Sequence, residues 1–387
     1  MAGEITAIVS QLGVTPEVFL IIVIFAFVAV GALVVIVVST PIKNVYPYLH
    51  PISRVRARKG RLLTEKQITE LVETSNNTEV ANYLSGMPEY SDVLNESSLE
   101  KALDVKMGET YDLIARLAPK QVASAFKVIS KKSDINNIKS LLAAKEVGLN
   151  QEETADLLIP SGKLYEELLR LADVASVNDV INGLDSTEYA PVLSDAIPDY
   201  EEKQMLLPLD AALDKYYLKI LLNAQEVPSE GNTQILYSYI GHKVDVDNLN
   251  LIIRAKADKL DYEAISDYIL NDGYQLREWK IKDLMESEDV LGVISSLDGT
   301  KYAPILNEVI PEYNETGSIG VFEVALNKFL IKVAKTYSLK QPLGIGPILG
   351  YLTEKEKEIH NLKVIARAKR EENFPTSQIQ EMLLWAK

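Results

Sequence analysis

The sequence predicts an all-α protein: three homologous helical modules behind an N-terminal transmembrane helix. Three observations carry that reading. There is one uninterrupted apolar stretch near the start, apolar residues recur at intervals of three and four through the rest, and blocks of sequence return in fixed order at intervals of roughly 100–113 residues. Alternating β-branched runs bounded by hairpin turns are missing, which argues against sheet.

From Val18 to Val38 the chain reads VFLIIVIFAFVAVGALVVIVV, twenty-one residues without a charged, amide or hydroxyl side chain. At 1.5 Å per residue this is about 31 Å of helix, matched to a hydrocarbon core of about 30 Å. Val18, Leu20, Phe27, Gly31 and Val38 mark its course. A cleaved signal peptide fits poorly. Residues 1–17 carry only Glu4 and Glu17 as charged side chains where a basic region belongs, and Pro41 follows the small residues Ser39 and Thr40. The reading is therefore a retained anchor, and with no ionisable group inside it is not an ion pathway. Lys43, Arg54, Arg56, Arg58, Lys59 and Arg61 follow the span and no basic residue precedes it, so the large C-terminal part is expected in the cytoplasm, at the cell membrane. On that side the sequons at Asn76, Asn95 and Asn314 would meet no glycosylation enzyme.

The repeat is read from four blocks. DINNIKSLLAAK from Asp134, DVDNLNLIIRAK from Asp245 and EIHNLKVIARAK from Glu358 share an acid first, Asn fourth and Lys twelfth, with apolar residues at the second, fifth, eighth and ninth places. The stretch Val293–Tyr313 matches Val180–Tyr200 and, more weakly, Val80–Leu94. LEKALD from Leu99, LDAALD from Leu209 and FEVALN from Phe322 form the third set, and the Gly-containing starts at Gly60, Gly162 and Gly273 the fourth. Order is preserved every time, which chance does not produce. The expected division is an anchor with its flanks over 1–43 and modules over 44–161, 162–272 and 273–387, with the stretch from Phe374 resembling the start of a truncated fourth copy that caps the array. Asn137, Asn248 and Asn361 are expected to make helix-packing hydrogen bonds, and Lys145, Lys256 and Lys369 to be solvated or ion-paired; threefold repetition favours a structural role over a catalytic one.

Composition narrows function by exclusion. Without cysteine there are no thiol nucleophiles, disulfides or thiolate metal sites, and His50, His242 and His360 fall at unrelated places in the repeat. A net charge of −15 repels phosphate backbones, so nucleic acid is not an expected partner. The Gly-rich run Pro342–Pro347 lacks the Gly-Lys-Ser/Thr ending of a phosphate-binding loop and reads as a connection between helices. Trp279 and Trp385 are expected to be core or packing anchors, with no ligand-stacking role. No catalytic residue, metal site or cofactor is implied.

At YPYLHPISRVRARKGRLL, residues 46–63, the chain resembles a known family: the C subunit of the archaeal A-type ATP synthase, related to the d subunit of vacuolar-type ATPases. The resemblance rests on Tyr48, Arg54, Val55, Arg56, Ala57, Leu62 and Leu63, and on the helices Asp134–Lys145 and Asp245–Lys256. It implies a pseudo-threefold funnel of helices, without nucleotide, that sits on the membrane rotor ring, receives the foot of the central shaft and transmits torque. Arg54, Arg56, Arg58, Lys59 and Arg61 would then lie near the ring. Members of that family are mostly soluble peripheral subunits, and the membrane-spanning start departs from the pattern. Without the resemblance, the same features also describe a membrane-anchored helical-repeat scaffold for another complex.

Overall fold

Apolar spacing of three and four becomes twenty α-helices and one 3-10 turn among the described residues of the computed structural model. It describes residues 15–95, 97–224, 231–271, 273–371 and 374–385, and no β-strand occurs among them. The chain divides into two units, Met1–His50 and Pro51–Lys387.

In the first unit the described residues belong to α1, Pro16–Lys59, a helix that runs on through Pro41, Pro47 and Pro51 although each proline forgoes one backbone hydrogen bond. Its segment Glu17–Ser39 is long and apolar enough to cross a membrane, with none of it buried by the protein. Phe25 and Phe27 are 72% and 76% exposed, an arrangement that water penalises and acyl chains favour.

In the second unit, short helices, then two long ones, then a short one follow in the same order three times. The first series is α2 (Glu65–Val72), α3 (Asn77–Ser85), α4 (Ser91–Leu94), the long α5 (Leu99–Leu117) and α6 (Ala123–Glu146), and α7 (Gln151–Leu157). The second is α8 (Tyr165–Leu171), α9 (Val177–Gly183), α10 (Ala190–Lys203), the long α11 (Leu207–Asn223) and α12 (Asn232–Ala257), and α13 (Tyr262–Ile265). The third is α14 (Glu278–Glu286), α15 (Val290–Ser296), α16 (Ala303–Glu308) with α17 (Ile310–Thr316), the long α18 (Gly320–Lys340) and α19 (Gly346–Ala368), and α20 (Thr376–Met382).

Local chemistry explains the recurrence. Asn76, Ser176 and Asp289 are the N-caps of α3, α9 and α15, and each side chain accepts the backbone N–H three residues on, satisfying a donor the helix leaves open. One turn further along, Val80, Val180 and Val293, then Leu84, Leu184 and Leu297, are fully buried. The twelve apolar residues counted in the Asn-and-Lys helices, from Ile135 to Ala366, are all in the core. Pro342–Pro347 connects α18 to α19 and supplies the first turn of α19, as the sequence predicts. Trp279 is a correction: it is 69% exposed, on the outer side of α14.

The six long helices pack in a closed circuit: α5 on α6, α6 on α11, α11 on α12, α12 on α18, α18 on α19, and α19 back on α5. Two of the crossings between series carry equivalent ion pairs. Lys139 of α6 meets Asp214 of α11 at 2.6 Å, and Lys363 of α19 pairs with Asp104 of α5. The corresponding positions between α12 and α18 hold Asn250 and Asn327, two neutral amides.

Gly162 opens the second series at φ +95°, in the left-handed region, and a Cβ there would lie 2.2 Å from Asp134 Oδ1. Gly162→Ala is therefore expected to cost about 3 kcal/mol or more from backbone strain and the displaced carboxylate together. Urea unfolding in mild detergent checks this, and a change under about 1 kcal/mol would show that the loop yields freely.

Candidate functional site: the repeated helices and the cavity they line

The second long helix of each series, α6, α12 and α19, works on two faces. One ties the series to the segment that follows it in the circuit. Asp134 Oδ1 accepts the backbone N–H of Leu164 at 2.9 Å, and Asp245 accepts those of Gln275 and Leu276 at 2.7 and 3.2 Å. Glu358 closes the circuit by accepting the N–H of Leu63, near the start of the first series, at 2.5 Å. Burial pushes the Asp134 carboxyl up to about 6 against the pull of these backbone donors, and raises Asp245 for the same reason.

The asparagines act as side-chain peptide groups. Asn137 donates to Ile159 O at 2.9 Å and accepts from Ile159 N at 2.8 Å; Asn248 does the same with Leu270 at 2.7 and 3.2 Å. Asn361 accepts from Leu384 N at 2.8 Å. The tail after Phe374 thus stands to α19 as the segments after α6 and α12 stand to theirs. It completes the third series and does not begin a fourth, because α20 fills the place of α7 and α13.

Lys145 and Lys256 differ from the expected solvated or ion-paired side chains. Lys145 is 7% exposed and donates to the carbonyls of Ala172 and Leu149 at 2.7 and 3.2 Å, while Lys256 donates to Met285 O at 2.5 Å. Ala172 caps α8 and Met285 lies in the last turn of α14, so both ammonium groups sit at the negative end of the next series' first helix. Lys369 is the C-cap residue of α19.

The opposite face lines an open cavity of about 340 Å³ walled by residues of α5, α6, α12, α18 and α19. Lys132, Lys243 and Glu356 occupy the same repeat position, two residues before each leading acid, and all three line it together with Asn136, His360 and Lys363. Glu356 accepts the Tyr111 hydroxyl at 3.1 Å, and Tyr239 is within 2.9 Å of the Thr353 hydroxyl. Burial, then Lys243, lowers the pKa of Lys132. Burial also opposes the charge on Lys243, but Asp247 and Glu356 more than offset it and hold that ammonium well above its ordinary value. The cavity is thus lined by charges of both signs, Lys132, Lys243 and Lys363 against Glu356 and Asp104. The sequence reading missed this set because the residue type changes from repeat to repeat; reading two places upstream of each leading acid would have found it.

The five basic residues from Arg54 to Arg61 divide. Arg56 donates to Pro342 O at 3.0 Å and Lys59 pairs with Glu354 at 2.7 Å, fixing the end of α1 to the α18–α19 connection and to α19. Arg54 and Arg61 are exposed and Arg58 is half-buried.

These features define an all-α body built by repetition around a charged cavity, with an apolar helix at its start. The family described as ATP synthase (C/AC39) subunit matches residues 51–382, and the chain belongs to it. The chain is 58% identical to the A-type ATP synthase C subunit of Methanobrevibacter smithii and 48% to that of Methanothermobacter thermautotrophicus, each match covering 99% of this chain and all of the relative. The A-type ATP synthase C subunit of Pyrococcus abyssi is 28% identical over 87% of this chain and 90% of its own length. The two methanogen matches therefore take in the apolar N-terminal segment, which the family match leaves out.

Proposed function

We propose that the chain is a non-catalytic central-stalk subunit of an A-type rotary ATP synthase, linking the membrane rotor ring to the central shaft and transmitting torque for ATP synthesis coupled to ion transport. The closed circuit of six long helices around a charged cavity is the observation that carries this reading. In it, residues 44–161, 162–272 and 273–387 are three equivalent modules about a pseudo-threefold axis, and the cavity on that axis receives the foot of the shaft. Torque shears the junctions between modules. Each junction is held by the leading acid, and the asparagine and lysine ties stiffen the joints around it. The apolar helix anchors the chain in the bilayer, with the modules in the cytoplasm, and nucleic acid is not a partner.

Binding of the detergent-purified chain to the isolated shaft subunits tests the socket. Lys132→Glu with Lys243→Glu is expected to weaken shaft binding at least tenfold and leave ring binding unchanged, because the reversal lies inside the cavity. Unchanged shaft affinity would move the shaft's seat elsewhere. The purified chain is expected to hydrolyse no ATP, and robust turnover would overturn the reading.

A further inference from the structure

We infer that the Val18–Val38 helix stands inside the rotor ring, against its inner wall, and turns with it. The inference rests on the proposed function and adds to it the position of the anchor. A chain fixed to both ring and shaft rotates. If its membrane span lay outside the ring, each turn would carry it round the outer wall and into the stationary membrane subunit against which the ring works. Inside the ring, the span meets only parts that rotate with it.

The side chains agree with such a place. Phe25, Phe27, Val28, Val30, Leu33 and Val34 point in all directions around the helix and are each at least half exposed. An apolar wall on every side suits this surface, whereas a helix docked on one flank of a membrane protein usually shows a small or polar face. No side chain between Val18 and Val38 can carry or coordinate an ion, so a helix on the axis opens no leak through the ring. The family match begins at residue 51, so the span lies outside the part of the chain that the family model describes.

The absence of cysteine makes site-specific chemistry clean. A photo-crosslinking phenylalanine analogue at position 27, in the complete complex isolated through a catalytic-head subunit, is expected to form an adduct with the ring protein, and the crosslinked complex should keep its ATP turnover. An adduct with the stationary membrane subunit, loss of turnover on crosslinking, or no protein adduct would each overturn the inference, as would an intact mass showing the span removed. Absence of the chain from the isolated complex would instead overturn the central-stalk reading itself, so the two failures are distinct. Deleting residues 1–42 is expected to speed loss of the ring from the complex in detergent at least tenfold; an unchanged rate would also count against the tether.

Discussion

Lys355→Met is expected to destabilise the protein by about 3–5 kcal/mol, and combining it with Glu358→Gln to recover part of that loss. Lys355 is fully buried, with Nζ 2.7 Å from Glu358 Oε1, 3.0 Å from the Tyr90 hydroxyl, 3.6 Å from Glu89 and 4.7 Å over the Tyr90 ring. Methionine fills a similar volume but leaves the Glu358 carboxylate, 5% exposed, without its cation. Glutamine at 358 removes the stranded charge while keeping an oxygen for Leu63 N–H or the Tyr90 hydroxyl, which accounts for the partial recovery. The same position in the first series gives the control. Lys131 pairs with Glu188 at 2.5 Å, but the two side chains are 21% and 42% exposed, so Lys131→Met should cost under about 1 kcal/mol. A further signature separates local from global loss. The Lys355 cluster joins the last series to the first, the one junction the backbone does not cross, so hydrogen exchange should rise first in α2, α3 and the start of α19. Equal losses for Lys131→Met and Lys355→Met would refute this account of the junction.

What could be read from the sequence follows from whether a position keeps its residue when its task repeats. Asn137, Asn248 and Asn361 were legible because an amide engages a backbone peptide 22 or 23 residues on in each series, and no other side chain both donates and accepts in that geometry. The leading acids were legible for the same reason, since the opening backbone N–H of the next segment needs a strong acceptor. Lys131 and Lys355 share a position with His242, and the second series departs at both ends of the contact: Glu188 and Glu89 precede Tyr189 and Tyr90, but Lys301 precedes Tyr302. Covariation of that kind has no signature in one chain. The cavity set failed for a related reason, since the position holds lysine in the first two series and reverses its charge to Glu356 in the third. Trp279 departs from the expectation because α14 already buries Ile281, Leu284 and Met285 on its other side. The apolar span needed no partner to be read, because the code for a helix able to cross a membrane is length and apolarity alone.

His242→Phe is expected to remove an acid sensitivity built into the second junction. His242 is fully buried, its Nδ1 2.7 Å from the Tyr302 hydroxyl, which donates its own proton to Asp245 at 2.6 Å. Nδ1–H must then be the donor to Tyr302, leaving Nε2 as a bare lone pair with no partner among the described residues. A second proton would have to enter a pocket walled by Tyr274, Tyr302 and Phe329, so burial, with Lys301 adding to it, lowers the pKa to about 4 from 6.5. As pH falls below 6.5 the unfolded chain takes up a proton that the folded one refuses until about pH 4, so stability drops across that window. The loss is about 2 kcal/mol by pH 5 and about 3 kcal/mol by pH 4. Asp134 works in the opposite direction: its folded pKa of about 6 against 3.8 means that the folded protein binds the proton first, and stability is gained as pH falls through that range. The two contributions oppose each other, so the His242 contribution is read from the variant against wild type. Phenylalanine keeps the ring packing and leaves Tyr302 its bond to Asp245. The difference in unfolding free energy between His242→Phe and wild type should therefore move by about 3 kcal/mol in the variant's favour from pH 7 to pH 4. A difference that stays flat over that range would mean that the folded protein accepts the proton on His242 as readily as the unfolded chain does.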